Sequence, residues 1–310
     1  MNRILFLSFV LLFALSACQR VDDDDIPTGT PELHFRFQFD AQQERLNNLG
    51  QVATLPSGHA AQTPIFQKLS VHVLDLTPNQ FTPYGEGFLV FKGPETNAGG
   101  AQAINFDEAL VGAENEVFYS TELANIPPGT YEYARVSVSY QLYDIKFNLR
   151  EIPIVGELLQ QSGRVASFVG YNTYLTEIQP KDKTLTVMDD KLQGFWALEL
   201  DLDPPYQPYN QLFSGEAPAG ATTVVNPLAS TSGIPAGSCV VTGKFSEPLV
   251  ITGDETKDLF IDLSFSINQS FEWIDMDSNG QLDFYLENTA QSDQIVDMGL
   301  RGLIPSWKTE

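Results

Sequence analysis

The residues best placed to do chemistry together lie late in the chain, in Asp275-Met276-Asp277-Ser278-Asn279-Gly280-Gln281-Leu282-Asp283. Oxygen-bearing side chains recur at alternate positions: Asp275, Asp277, Asn279, Gln281 and Asp283. Calcium takes about six to eight oxygen ligands, and a tight loop that alternates ligands with spacers converges them on one point. Gly280 permits the sharp turn, and Gln281 would offer its backbone carbonyl. Carboxylates crowded this closely repel one another unless a counter-ion sits among them. These five residues are therefore a candidate calcium site.

The order D-x-D-x-N-G-x-x-D resembles the calcium loop of EF-hands. It departs at the twelfth position, where that loop has a bidentate Glu and this chain has Leu286, with Glu287 one residue late. The flanks, FEWI and FYL, read as strands, so the expectation is a calcium loop on a β-hairpin. A plain polar hairpin turn is the competing reading, because Asn-Gly is a strong hairpin signal.

Other candidates are sparser. His34 and His72 fall on strand patterns and His59 in a Gly-His loop. If the two strands pair, they could hold a transition metal; otherwise the histidines are ordinary surface residues. Tyr206 and Tyr209 sit in the stiff loop PPYQPYN, after Trp196 on the preceding strand. Exposed aromatic faces on rigid backbone can stack on sugar rings, making these tyrosines ligand-binding candidates; covering a sheet edge would explain them equally. Cys239 precedes Val240 and Val241 and reads as a small buried hydrophobe. The chain lacks G-x-S-x-G, a P-loop, G-x-G-x-x-G and H-E-x-x-H, and no spacing selects a carboxylate pair. No catalytic residue is assigned, and a binding role is expected over an enzymatic one.

The first residues concern location. Met1-Asn2-Arg3 is a short positive segment, and Ile4 to Ala17 is almost wholly apolar. That run is shorter than the roughly 20 residues of a bilayer span, so residues 1–17 read as a secretory signal. Leu15-Ser16-Ala17-Cys18 resembles the bacterial lipobox. The resemblance implies that Cys18 becomes a lipidated N-terminus carrying several acyl chains, enough for stable anchoring. Asp22, Asp23, Asp24 and Asp25 cannot pack in a core and must be solvated. So close to the lipid, they resemble the acidic export tag of surface lipoproteins of the Bacteroidota; a plain solvated tether is the alternative. Residue Gln19 is not Asp, so the usual inner-membrane retention signal is absent. Residues 18–31 are read as a lipidated acidic tether, and the location as the outer membrane, surface-exposed, with a periplasm-facing protein as the alternative.

From Glu32 the pattern that must position these residues is period two. Leu33, Phe35, Phe37 and Phe39 alternate with His34, Arg36, Gln38 and Asp40. Strand patterns recur at Leu69–Leu76, Gly87–Lys92, Glu116–Leu123, Tyr131–Phe147, Val165–Ile178, Thr184–Met188 and Gly194–Leu202. They continue at Ser238–Thr242, Leu249–Thr252, Lys257–Asn268 and Phe271–Ile274, with Ile295–Ile304 as the last element. Ile154–Gln161 is predicted as a short helix, and Gly215–Gly237 as a long loop. Strands without intervening helical patterns predict an all-β antiparallel β-sandwich with long loops and at most one or two short helices. Residues 32–310 are expected to form one domain, with 150–163 as the only seam.

The opening strand LHFRFQF and the turn-strand IPPGTYEYARVSVSY resemble the surface lipoproteins of Bacteroidota that include the MbnP-like β-sandwiches. Those are copper-associated, but their histidine-rich, cysteine-containing start is absent here. The composition narrows the field further. A net charge of -23 excludes a phosphate-backbone binder, so no nucleic acid is expected. Two cysteines make neither a disulfide framework nor a Cys-rich zinc site. The expectation is a lipid-anchored, non-catalytic binding module with a structural calcium and a glycan or protein partner. The alternatives are an MbnP-like metal binder and a glycan-binding or glycan-processing surface protein.

Overall fold

The computed structural model describes residues 29–217, 228–230 and 238–309. The signal segment, Cys18, the Asp22–Asp25 run and most of the 215–237 loop lie outside the described residues.

Among the described residues, alternating and β-branched runs fold into twenty strands. The first eight are β1 (Glu32–Asp40), β2 (His59–Gln62), β3 (Ile65–Thr77), β4 (Phe88–Lys92), β5 (Glu95–Thr96), β6 (Ala103–Asn105), β7 (Val111–Gly112) and β8 (Val117–Glu122). The longest is β9 (Gly129–Ile152), with 24 residues. Then come β10 (Gly156–Phe168), β11 (Asn172–Ile178), β12 (Leu185–Leu192), β13 (Phe195–Asp201), β14 (Leu212–Glu216) and β15 (Cys239–Ile251). The chain closes with β16 (Leu259–Ser266), β17 (Phe271–Ile274), β18 (Asp283–Tyr285), β19 (Gln294–Met298) and β20 (Leu303–Thr309). Helical structure among the described residues is confined to three-residue 3-10 turns, one of them Gln207–Tyr209.

The architecture is all-β and sandwich-like. A large sheet runs β14-β13-β10-β9-β3-β4, with β15, β18 and β7 added along β9 and β3. A four-stranded sheet, β20-β16-β1-β8, lies on one face, and β12-β11-β6-β5 on the other. A small sheet, β19-β17-β2, extends the first layer. Most pairings are antiparallel, but β1 runs parallel to β16, β11 to β6 and β18 to β9.

The Phe stripe of β1 points inward, as its alternation predicts, and Phe35 and Phe37 are fully buried. They pack with Leu263 and Phe265 of β16 against Leu74, Val136 and Val138 of the large sheet. The Phe37 ring stacks on Phe118 at 3.9 Å between centroids. Each such ring is worth about 1.5–3 kcal/mol of burial. On the opposite face Tyr140, Phe168, Leu175 and Phe195 form a second core. Strand β9 serves both: Val138 and Tyr143 belong to the first core, Tyr140 and Leu142 to the second.

Three expectations are corrected. The predicted helix Ile154–Gln161 is the turn and first half of β10, where Gly156 pairs with Ile152 and Leu158 with Leu149. Pairing with the long edge of β9 overrides local propensity, and Gly156 at φ 86° is outside helical space. The stretch 150–163 forms a hairpin inside a compact unit that spans Pro31–Glu310. Ile295–Ile304 divides between β19 and β20, whereas Ser238–Thr242 and Leu249–Thr252 fuse into the bulged β15.

Candidate functional site

A cavity of about 910 Å³ lies against the large sheet. Strand alternation builds its floor. On β13, Trp196, Leu198 and Leu200 face the cavity, while Phe195 and Ala197 face the second core. Strand β9 lends Ile145, Phe147 and Leu149, and β10 lends Leu158 and Val165. Gly163 keeps the floor open: a Cβ there would lie 2.6 Å from Leu198 Cδ1 and 3.0 Å from Phe147 Cε1. Phe284 of β18, paired beside β9 in the same sheet, adds to the lining, and Phe271 of β17 with Ile295 and Met298 of β19 come from the small sheet.

The rim is apolar as well. The β9–β10 hairpin tip supplies Ile152, Pro153, Ile154 and Val155, and Ile154 is fully exposed. Its φ of 73° is rare for a β-branched residue. Tyr206 packs partly against the core, Tyr209 is exposed, and both line the cavity. The sequence candidates Tyr206, Tyr209 and Trp196 thus converge on one site. Their surroundings are aliphatic, with Gln211 and Ser214 the only other polar side chains among the described residues of the lining. Among the described residues no carboxylate, imidazole, ammonium or guanidinium lines it. A site of this volume and lining binds by removing apolar surface from water.

The Asp275–Asp283 loop joins β17 to β18. The Asp275 carboxylate accepts from the backbone N–H groups of Asn279, at 3.2 Å, and Gly280, at 2.8 Å. Asn279 Nδ2 donates to Asp277 Oδ2 at 2.8 Å and Asp283 Oδ2 at 2.6 Å. The other oxygen of Asp283 accepts from Asn148 Nδ2 and Arg150 Nε, both at 2.8 Å. Burial pushes the Asp283 carboxyl up, but hydrogen bonds from Arg150, Asn279 and Asn148 outweigh it and hold the group below its usual range. Gln281 turns its side-chain oxygen to Asn148, at 2.8 Å. Sequence reasoning missed Asp293, whose carboxylate accepts from Met276 N–H at 2.9 Å and Asp283 N–H at 2.7 Å. Asp293 comes from the segment before β19, where spacing gave no signal. Two carboxylate oxygens thus converge on one nitrogen. As a test of fit to calcium, the donor set is oxygen-rich, but Asp275 is engaged by backbone amides and Asp283 by Arg150. Among the described residues no group of three or more His, Cys, Asp or Glu is arranged to hold a metal.

The histidines are dispersed. Strand β1 pairs with β8 and β16, not with β3, so His34 and His72 do not meet through strand pairing. His34 Nδ1 lies 2.7 Å from Ser120 Oγ. His72 is buried with Nε2 3.0 Å from Glu95, and burial lowers its pKa. His59 Nδ1 lies 2.5 Å from Glu272 Oε1. Glu272 is buried and also bridges Arg45 and Arg301. Burial raises its carboxyl, but the His59 and Arg45 hydrogen bonds and the charges of Arg301 and Arg45 bring it below the usual range. Cys239 is fully buried, and burial pushes its thiol pKa well up, away from nucleophilic chemistry.

Comparison of the chain with protein-family models, with curated proteins and with solved structures returned no match.

Proposed function

We propose that this protein is a non-catalytic binding module, lipid-anchored through Cys18 at the outer membrane and facing outward, and that its ligand is apolar. The observation that carries the reading is the cavity of about 910 Å³, walled by Ile, Leu, Val and Phe, with two tyrosines as the only ionisable groups among the described residues that line it. Its volume falls in the upper part of the roughly 300–1,000 Å³ range of small-molecule sites. A polarity-sensitive dye such as N-phenyl-1-naphthylamine should brighten on binding with about one site per chain. Leu200→Trp, which fills the cavity, should abolish that signal while leaving the melting temperature close to wild type. No dye binding by the wild type would overturn the reading.

Anchoring is tested separately. Radiolabelled palmitate should enter the wild type and not Cys18→Ser. Replacing Asp22–Asp25 with Ala should abolish surface accessibility to added protease; unchanged accessibility would refute the export role. One equivalent of copper or zinc retained after purification would favour an MbnP-like role instead.

A structural calcium is a second reading, supported by Asn279 Nδ2 held between Asp277 Oδ2 and Asp283 Oδ2, where an N–H donor occupies the point on which two anions converge. Calcium should raise the wild-type melting temperature relative to chelator, and Asp277→Asn should remove most of that increment. Superimposed wild-type curves with and without calcium would sink it.

A further inference from the structure

We infer that the cavity takes a long aliphatic chain bearing an uncharged head, in the manner of an acyl ester or alkyl alcohol; this rests on the cavity being a ligand site. Shape is the first argument. The lining follows β9 from Ile145 to Ile152, which at about 3.3 Å per residue is a run of about 23 Å. That exceeds the roughly 15 Å of one acyl layer, half of a hydrocarbon core about 30 Å thick. A compact ligand would leave much of such a slot unfilled.

Charge is the second argument. A carboxylate or phosphate drawn inside would meet no cationic partner among the described residues, because none of the Lys, Arg or His there lines the walls. A buried unpaired charge is prohibitive, and the chain's net charge of -23 repels anions on approach. Polarity is the third. Apart from the Trp196 indole, the polar side chains of the lining are gathered between Tyr206 and Ser214, with Tyr209 and Gln211. An uncharged hydroxyl or ester can hydrogen-bond there while its chain lies along the aliphatic floor of β9, β10 and β13.

The test is displacement of N-phenyl-1-naphthylamine from the full mature chain by a homologous series of 1-alkanols and monoacylglycerols. Affinity should rise about fourfold per added methylene, the equivalent of ~0.8 kcal/mol, and then level off as the slot fills. Leu158→Trp, which narrows one end of the slot and leaves room for the dye, should move the plateau to shorter chains. The fatty acid of equal length should bind more weakly than the alcohol at pH 8. If the dye binds but affinity ignores chain length, or a fused-ring sterol competes better, the inference fails while the binding-module reading stands. If the dye does not bind, the parent reading fails first. A concentration-dependent dimer that excludes the dye and is lost in Ile154→Glu would assign the apolar rim to a second copy and overturn the inference.

Discussion

At the scale of single residues, Glu272 holds the most consequential position. It is buried and meets Arg45, Arg301 and His59 from three separate segments. Glu272→Gln would leave two buried guanidinium groups short of an anion, although Asp297 still reaches Arg301. A loss of about 3–5 kcal/mol is expected in urea titrations at pH 7. The pH dependence follows from the lowered carboxyl. A group whose folded pKa lies below its ordinary 4.5 contributes stability above that value and loses it as pH falls through the folded pKa. The gap between wild type and Glu272→Gln should therefore close below about pH 4.5. Asp75 has the opposite sign. Burial raises its carboxyl to about 6 despite Arg135 at 3.3 Å, so the stability it contributes at acid pH is lost as pH rises from its ordinary 3.8 through about 6. Asp75→Leu with Arg135→Met should be near neutral, with either change alone costing several kcal/mol. Neither network was legible in the sequence. Arg45 and Glu272 lie 227 positions apart, and nothing in the spacing of an isolated Arg and Glu marks them as partners. The burial of Cys239 and of the β1 Phe stripe was legible, because period-two alternation and apolar neighbours carry that information locally.

At the scale of elements, the β9–β10 hairpin joins stability to the site. Ile154 is fully exposed and held at φ 73°, where a branched side chain is strained by roughly 1–3 kcal/mol. Ile154→Gly should raise the unfolding free energy by about 1 kcal/mol yet weaken dye binding, because it removes part of the rim. A variant that gained stability and kept full affinity would show that the tip makes no contact with the ligand. Local pattern misled here, since IVGELLQQ carries good helix formers but lies beside 24 residues of β9 whose edge it completes. The cavity floor was half legible: GFWALELDL alternates as a strand must, and Trp196, Leu198 and Leu200 do share a face. The share of the lining from β17, β18 and β19 was not, because those strands reach it only through long-range topology.

At the scale of the whole molecule, β9 ties the layers together, pairing with β3, β10, β15 and β18. Unfolding should accordingly be one cooperative event. The three tryptophans report on different parts: Trp196 on the large sheet, Trp273 in β17 and Trp307 in β20. Single-tryptophan variants should give coincident urea transitions, and separated midpoints would reveal independent subunits of structure. The all-β class was readable because strand periods recur throughout, but the parallel pairing of β1 with β16 was not, since it joins segments over 200 residues apart. That pairing has a mechanical consequence. The chain reaches β1 beside the end of β8, where Leu123 N–H bonds Pro31 O, six residues before β9 begins; the cavity lies toward the other end of β9. A pull applied at the start of β1 and directed along it would load the β1–β16 ladder lengthwise. Eight consecutive rungs, Leu33 with Leu259 through Asp40 with Ser266, would then share the load in shear instead of peeling one at a time. Anchored as proposed, the protein would meet such a pull with these rungs loaded together.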